Sequence, residues 1–404
     1  MKPPLLFLIQ RLPFPPTKGD KIRAWKILAY LARWYDIHLG CLLDDPADEA
    51  HVATVRALCR DIHVARINPR LSRLTCLRGL LTGEALSVTY FHDRDLASWV
   101  ERVMRTVKPA VVFVYSSNMA PYILDQPGAA RRVVDLVDLD SEKWRAYAEE
   151  RQGPMRWVYR REWRKIADLE QRIARDCDLA SLVSNAETAL FARLFPVQAD
   201  RVISVSNGVD HGYFDPDGDY PPVYDTTRPN FVFTGTMDYP PNADAVIWFA
   251  NDILPLIRRA LPDARFHIVG HNPTEEVRRL GRLDGVNVTG RVADVRPYVV
   301  HATASVAPLR IARGIQNKVL EAMALARPVV VTSGALEGIE AEPGTDIVLA
   351  DSAGDFATAC IDLANGPNGS RIGRAARARV VQTYDWSARL SQYDRFLRPA
   401  EAMP

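Results

Sequence analysis

The side chains best suited to chemistry in this chain gather in residues 305–332, SVAPLRIARGIQNKVLEAMALARPVVVT, which carry Arg310, Arg313, Lys318 and Glu321. Cations beside a helix N-terminus, where backbone N–H groups lack partners, suit a phosphate. A carboxylate one turn further in suits the hydroxyls of a sugar attached to it. The elements that must position these groups are also legible. Ser305 to Leu309 predicts a buried strand, Arg310 to Gln316 a polar turn, the next residues an amphipathic helix, and Pro328 to Thr332 a second strand. That is the βαβ pattern of a parallel sheet, which binds ligands where loops leave the C-terminal ends of strands. An ordinary βαβ unit with solvated charges fits this stretch equally well.

Two further loops hold the same kind of position. Thr17-Lys18-Gly19-Asp20 lies between the first strand and first helix, and Thr234-Gly235-Thr236-Met237 follows a later strand. Gly19 permits close approach of backbone to a ligand, and Asp20 is placed to cap the helix. Neither loop is GxGxxG or a P-loop, which argues against an NAD-dependent oxidoreductase. Val133–Val137 ends at Asp138, a carboxylate placed to orient a hydroxyl or take its proton. Asp140 reads as the cap of the helix that follows. His38, His63, His92 and His267 lie in strands or on helices and read as structural, whereas His271 follows a strand end.

The chain as a whole sets the frame. Its 404 residues predict two domains, and a net charge of +2 gives no reason to propose nucleic acid as a partner. Five scattered cysteines, Cys41, Cys59, Cys76, Cys177 and Cys360, form no CxxC pair and point to a reducing, cytoplasmic compartment. The N-terminal apolar run is too short to span a bilayer and reads as a first strand. Strand and helix signals alternate throughout. Leu5–Ile9, Ile37–Leu43, Ile62–Ile67, Ala110–Tyr115, Val133–Val137, Ala180–Ser184 and Val202–Ser206 predict one doubly wound sheet. Phe231–Thr234, Arg265–Val269, Val286–Thr289, Ser305–Leu309, Val329–Thr332 and Asp346–Leu349 predict another. The stretch from Ser206 to Asn230, rich in Gly, Pro and Asp, reads as the linker. Residues 141–175 hold ten Lys/Arg against six Asp/Glu, with Trp144, Trp157, Tyr159 and Trp163 interleaved. Two readings stand for them: a charged helical pair packing its aromatics on the sheet, or a contact with anionic lipid headgroups or a lipid-linked acceptor.

With these motifs in order, the sequence resembles the GT-B-fold glycosyltransferases, specifically the large retaining group called family 4. The resemblance rests on the loop with Gly19, SNGVDHGYF (206–214), FTGTMDYPPNADA (233–245), FHIVG (266–270), VNVTGRV (286–292), GIQNKVLEAMALARPVVVT (314–332) and YDWS (384–387). DLVDLDSEKW (135–144) is similar to a subgroup tied to bacterial (PEP-CTERM/exosortase-linked) exopolysaccharide assembly. The resemblance implies an α/β protein with two doubly wound Rossmann-like domains facing each other across a cleft. The acceptor-side domain would span 1–208, the nucleotide-sugar domain 209–384, and a helix at 385–398 would cross back onto the first.

It also implies roles. Glu321 matches the second glutamate of the family's E-x7-E motif and would hold the donor ribose. Gly314, Ile315, Gln316, Asn317 and Lys318 would meet the diphosphate and sugar. Gly19 and Asp20 would lie near the donor phosphates with Gly235 and Thr236, and Arg291-Val292 would flank the base. Ser116, Ser117 and Asn118, at a strand end, are placed to contact the acceptor. No metal or other cofactor is implied; Asp138-Leu139-Asp140 has metal-ligand spacing, but the fold generally works without a bound divalent ion. The sequence departs from the family at two points. Arg313 stands where the first glutamate is expected, and the loop after Gly235 lacks the usual Arg and Lys. The expectation is that Lys318, Arg310 and Arg313 take over leaving-group stabilisation. The activity implied is hexosyl transfer with retention, from a nucleoside-diphosphate sugar to a glycan or lipid-linked acceptor. A peripheral place on the inner face of the plasma membrane is left open. A sugar-nucleotide epimerase and a non-catalytic nucleotide-sugar-binding partner are the rival readings.

Overall fold

The computed structural model describes residues 2–16, 19–69, 72, 75–128, 130–312 and 315–398. Two compact units emerge, one from the N-terminus to Ser206 together with Leu390 and the residues after it, the other Asn207–Arg389.

The first unit holds β1 (Pro4–Ile9), β2 (Asp36–Leu43), β3 (Asp61–Arg66), β4 (Val111–Tyr115), β5 (Arg131–Val137), β6 (Leu179–Leu182) and β7 (Val202–Ser204). They form one parallel sheet in the order β3-β2-β1-β4-β5-β6-β7. The central strands are apolar on both faces because helices cover both, so Leu5 to Leu8 and Val112 to Val114 are fully buried. In the second unit β8 (Asn230–Thr234), β9 (Arg265–Val269), β10 (Val286–Gly290), β11 (Ala304–Ala307), β12 (Val329–Val331) and β13 (Val348–Leu349) pair in the order β10-β9-β8-β11-β12-β13. In each sheet the order of winding reverses at one point, between β1 and β4 and between β8 and β11. Ligands of such sheets bind at that reversal.

Two expectations change in the structure. The stretch 206–230 is no free linker: Val209 is buried and its N–H donates to the Tyr384 carbonyl at 2.8 Å. Arg377 donates to the carbonyls of His211 and Phe214, both at 2.8 Å, which pins the strap to the second unit. The segment expected as one helix over 385–398 is three short pieces, Trp386–Leu390, Ser391–Tyr393 and Asp394–Leu397. Tyr393 helps to fix the last two, its buried hydroxyl lying 2.6 Å from Ser181 Oγ, and Tyr30 donates to Asp394.

The helix α1 (Gly19–Leu31) buries a charged residue on its inner face. Its inner face holds Ala24, Ile27, Leu28 and Leu31, and Arg23 is only 1% exposed, while Ile22 and Trp25 are half-buried. Arg23 is tolerated inside because Asp135 meets it with both oxygens, at 2.7 and 3.1 Å. Ser181 Oγ donates to the same carboxylate at 3.0 Å, so the buried pair is hydrogen-bonded throughout.

Candidate functional site

The reversal in the second unit gathers most of the expected donor residues. The loop after β8 leads into the helix α2 (Pro240–Trp248), and the loop after β11 leads into α3 (Asn317–Ala324). Lys318, in the first turn of α3, donates to Asn242 Oδ1 on α2 at 2.7 Å. Asn242 is buried, and its Nδ2 donates back to the Thr236 carbonyl at 2.9 Å. The ammonium also lies 4.8 Å from the Phe233 ring centroid. Lys318 thus stands over the Gly235 loop with only neutral hydrogen-bonding partners. Burial lowers its pKa to about 8, with Glu321 acting in the opposite sense.

Glu321 lies one turn along the same helix face. Burial raises its carboxyl to about 7, and Lys318 restrains the rise. Both side chains touch solvent yet are walled by protein, the environment of a recess. Among the described residues the Glu321 carboxylate makes no hydrogen bond, and it is open to a ligand's hydroxyls. The amides of Asn317 and Lys318, at the start of α3, have no intrahelical acceptor.

Backbone contacts hold the neighbouring loops. Gly235 N–H donates to the Val269 carbonyl at 3.0 Å, and Met237 N–H to the His271 carbonyl at 2.9 Å. His271 Nε2 and Thr236 Oγ1 are 3.1 Å apart, which gives that histidine a fixed place. A Cβ on Gly270 (φ +154) would fall 1.6 Å from the Gly235 carbonyl oxygen. Only glycine fits there. Gly270→Ala is expected to cost roughly 2–4 kcal/mol of unfolding free energy. A denaturant midpoint equal to wild type would show that the two loops do not press together.

The remaining donor-side residues are not all brought in. Arg310 is ion-paired to Asp244 on α2, with Nε 3.1 Å from Oδ2, and lies over the Trp248 ring. Its charge is compensated and it is half-exposed, so the expectation that it faces a diphosphate gives way. Arg313 and Gly314 lie outside the described residues. Ile315 is buried, Gln316 precedes α3 as its N-cap, and Asn317 Oδ1 is buried without a partner among the described residues. Arg291 is exposed and Val292 packs on the core.

Sequence reasoning missed Asn242 and Tyr213. Asn242 was visible only as part of the FTGTMDYPPNADA pattern. Tyr213 lies on the strap, its ring 3.8 Å from the Arg296 guanidinium. Burial raises its hydroxyl and Asp294 adds to that, while Arg296 acts against the rise.

In the first unit the residues divide differently. Gly19 is exposed, while Thr17 and Lys18 lie outside the described residues. Asp20 sits inside the first turn of its helix and pairs with Arg11 at 3.2 Å instead of acting as the cap. Ser116 has φ +80 and the β-branched Val137 has φ +72, so strain is stored at the ends of both β4 and β5. Ser116, Ser117 and Asn118 are all buried, and Ser117 Oγ and Asn118 Oδ1 have no partner among the described residues. Asp138 by contrast reaches solvent. Surrounding protein raises its pKa, and Lys143 and Arg23 act against the rise.

Asp140 does not cap the helix that follows, Asp140–Glu150. Leu139 occupies the cap position without a side-chain bond, and two distant glutamates serve the free amides. Glu187 accepts from Leu139 N–H at 2.9 Å, and Glu170 from Ser141 N–H at 3.1 Å and Ser141 Oγ at 2.5 Å. Burial raises Glu170 from 4.5 to about 8. The folded chain therefore holds a proton there that the unfolded chain has released, and this contribution falls as pH rises from about 4.5 to about 8. Glu170→Gln keeps the neutral shape. Its melting temperature is expected to drop less than that of wild type across this window; parallel curves would mean that Glu170 is ionised in the fold.

A cavity of about 750 Å³, lined by Tyr35, Arg131, Arg132, Asp178 and Leu397 among others, opens at the N-terminal edge of the first sheet. It is at the wrong end of the strands for the chemistry above.

Residues 228–366 match the family described as Glycosyl transferases group 1. An uncharacterized 44.6 kDa protein in the cps region of Klebsiella pneumoniae is 25% identical over 171 residues, 40% of this chain and 44% of that protein's length. The chain therefore spans less than half of that relative. The structure of Anabaena Alr3699/HepE in complex with UDP superposes with a TM-score of 0.67 at 16% identity, covering 98% of this chain and 99% of that one. Sucrose-phosphate synthase from Thermosynechococcus elongatus gives 0.70 at 16% identity, over 98% of each chain. At such identities the likeness shows the fold. The chain has the GT-B glycosyltransferase fold, and its second unit carries the group 1 glycosyltransferase match over residues 228–366.

Proposed function

We propose that the protein is a glycosyltransferase that moves a hexose from a nucleoside-diphosphate sugar to a glycan or lipid-linked acceptor, with retention at the anomeric carbon. The observation that carries this reading is Lys318, held by Asn242 at the β8/β11 reversal with Glu321 one turn away. Lys318 and the first amides of its helix meet the diphosphate, and Glu321 accepts from the ribose hydroxyls. As the sugar–phosphate bond breaks, Lys318 and those amides stabilise the departing diphosphate in place of a divalent ion. The acceptor oxygen forms the new bond, and its proton passes to a base, for which Asp138 is the candidate in the first unit. Arg313 belongs to the same proposal as a second cation on the leaving group. The family 4 assignment, the exopolysaccharide role and a place on the inner face of the plasma membrane are part of this reading.

The test is to incubate purified protein with a panel of nucleotide sugars, with and without a lipid-linked glycan. Acceptor-dependent release of nucleoside diphosphate, with a product of unchanged anomeric configuration, is expected. Isomerised donor without acceptor would make it an epimerase, and binding without turnover under every condition a non-catalytic partner.

A further inference from the structure

Residues 141–175, which the sequence leaves between two readings, form a hairpin of the helix Asp140–Glu150 and the helix Pro154–Asp176. The structure removes half of its acidic residues from the surface. Glu142, Glu162 and Glu170 are 6%, 1% and 0% exposed. Glu162 accepts from Leu86 N–H at 2.7 Å and Ser87 N–H at 3.2 Å, and so caps a neighbouring helix while Glu170 caps its own partner. Arg145, Arg161, Arg172 and Arg175 are likewise engaged by carboxylates, but four arginines are not. Arg151, Arg156, Arg160 and Arg164 are exposed and make no ion pair among the described residues. From Arg151 to Arg164 the only carboxylate is the buried Glu162.

At about 100° per residue, Arg156, Trp157, Arg160 and Arg164 fall within one arc of about 100°. The buried Glu162, Ile166, Glu170 and Ile173 lie on the opposite side. Trp157 is 61% exposed at the edge of that basic arc, with Met155 at 48% and Tyr147 at 41% beside the turn. Tyr147 belongs to an aromatic cluster with Trp144 and Tyr159, so the turn is held on a firm base. An exposed indole flanked by unpaired arginines is costly in water and matched to an anionic lipid interface: the ring enters the headgroup layer and the guanidinium groups meet lipid phosphates.

We infer that the tip of this hairpin docks the protein on the surface of an anionic bilayer. The inference deepens the reading of a lipid-linked acceptor, and binding to vesicles tests it without reference to turnover. The first helix of the hairpin begins two residues after Asp138 and runs 11 residues to the turn. At 1.5 Å per residue that helix is about 16 Å long, so Asp138 lies at its far end from the tip.

The experiment is co-sedimentation of the full chain with vesicles of phosphatidylcholine containing about one-third phosphatidylglycerol, against phosphatidylcholine alone. Binding is expected to the anionic vesicles only, and to weaken as salt rises. Trp157→Ala should weaken partitioning about tenfold, and the triple change Arg156→Ser, Arg160→Ser and Arg164→Ser roughly 100-fold. Both variants should keep wild-type melting temperature and donor binding, since every changed side chain faces solvent. Equal binding of either variant, equal binding to both vesicle types, or none would overturn the proposal. So would light scattering that shows a dimer lost in Trp157→Ala, which would give the face to a second copy of the chain.

Discussion

Replacing Lys318 with alanine is expected to lower turnover by about 100- to 1,000-fold and to weaken binding of a nucleoside diphosphate by about 10- to 100-fold. The effect is large because few other cations can replace it: Arg310 is bound to Asp244, the loop after Gly235 carries no cation, and Arg313 is the one other cation proposed for the leaving group. Lys318→Met separates charge from packing, since its chain can still lie over Phe233. It should melt close to wild type and be as inactive as the alanine variant. The pH dependence gives an independent readout. With Lys318 lowered to about 8, affinity for a diphosphate should fall as pH rises past that value, and the fall should be missing in Lys318→Met. Calorimetric titration of both proteins with nucleoside diphosphates measures this. Unchanged affinity and turnover in Lys318→Ala would remove the cation from the mechanism.

Glu321→Ala is expected to weaken the donor by about 10- to 100-fold, the range for losing hydrogen bonds to a charged group. Its low-pH behaviour is the mirror image of that of Lys318. The carboxyl is raised to about 7, so its ionised form, and with it the grip on ribose hydroxyls, is lost as pH falls through that value. Glu321→Gln should flatten this limb and leave the high-pH limb in place. The two groups thus predict a donor affinity that peaks between their pKa values. A 2′,3′-dideoxy nucleotide adds a check, for it should bind wild type and Glu321→Ala about equally.

Both units' sheets were legible because their central strands are short apolar runs buried on both faces, a pattern that survives without knowledge of neighbours. The donor loop was legible for a related reason: Lys318 and Glu321 are three residues apart on one helix, so their relation is local. What escaped depends on partners far away in sequence. Nothing near Arg23 announces that Asp135 will bury it, and nothing near Asp140 announces that Glu170 and Glu187 will cap its helix. The same long reach misled the reading of Arg310, whose partner Asp244 lies on the helix after a different strand. Composition misjudged 206–230, where Gly, Pro and Asp mark a strap pinned by Arg377 and not a free linker. In 141–175 the count of charges was right, but only burial shows which of them face water.

The most direct measurement is hydrogen exchange read by mass spectrometry on the full chain, with and without a saturating nucleoside diphosphate. Slowed exchange is predicted in peptides covering 233–243 and 315–325, and at a ligand concentration near the wild-type Kd the slowing should largely vanish in Lys318→Ala. Protection confined to other parts of the chain, or no binding of any nucleoside diphosphate, would contradict a donor site built on Lys318 and Glu321.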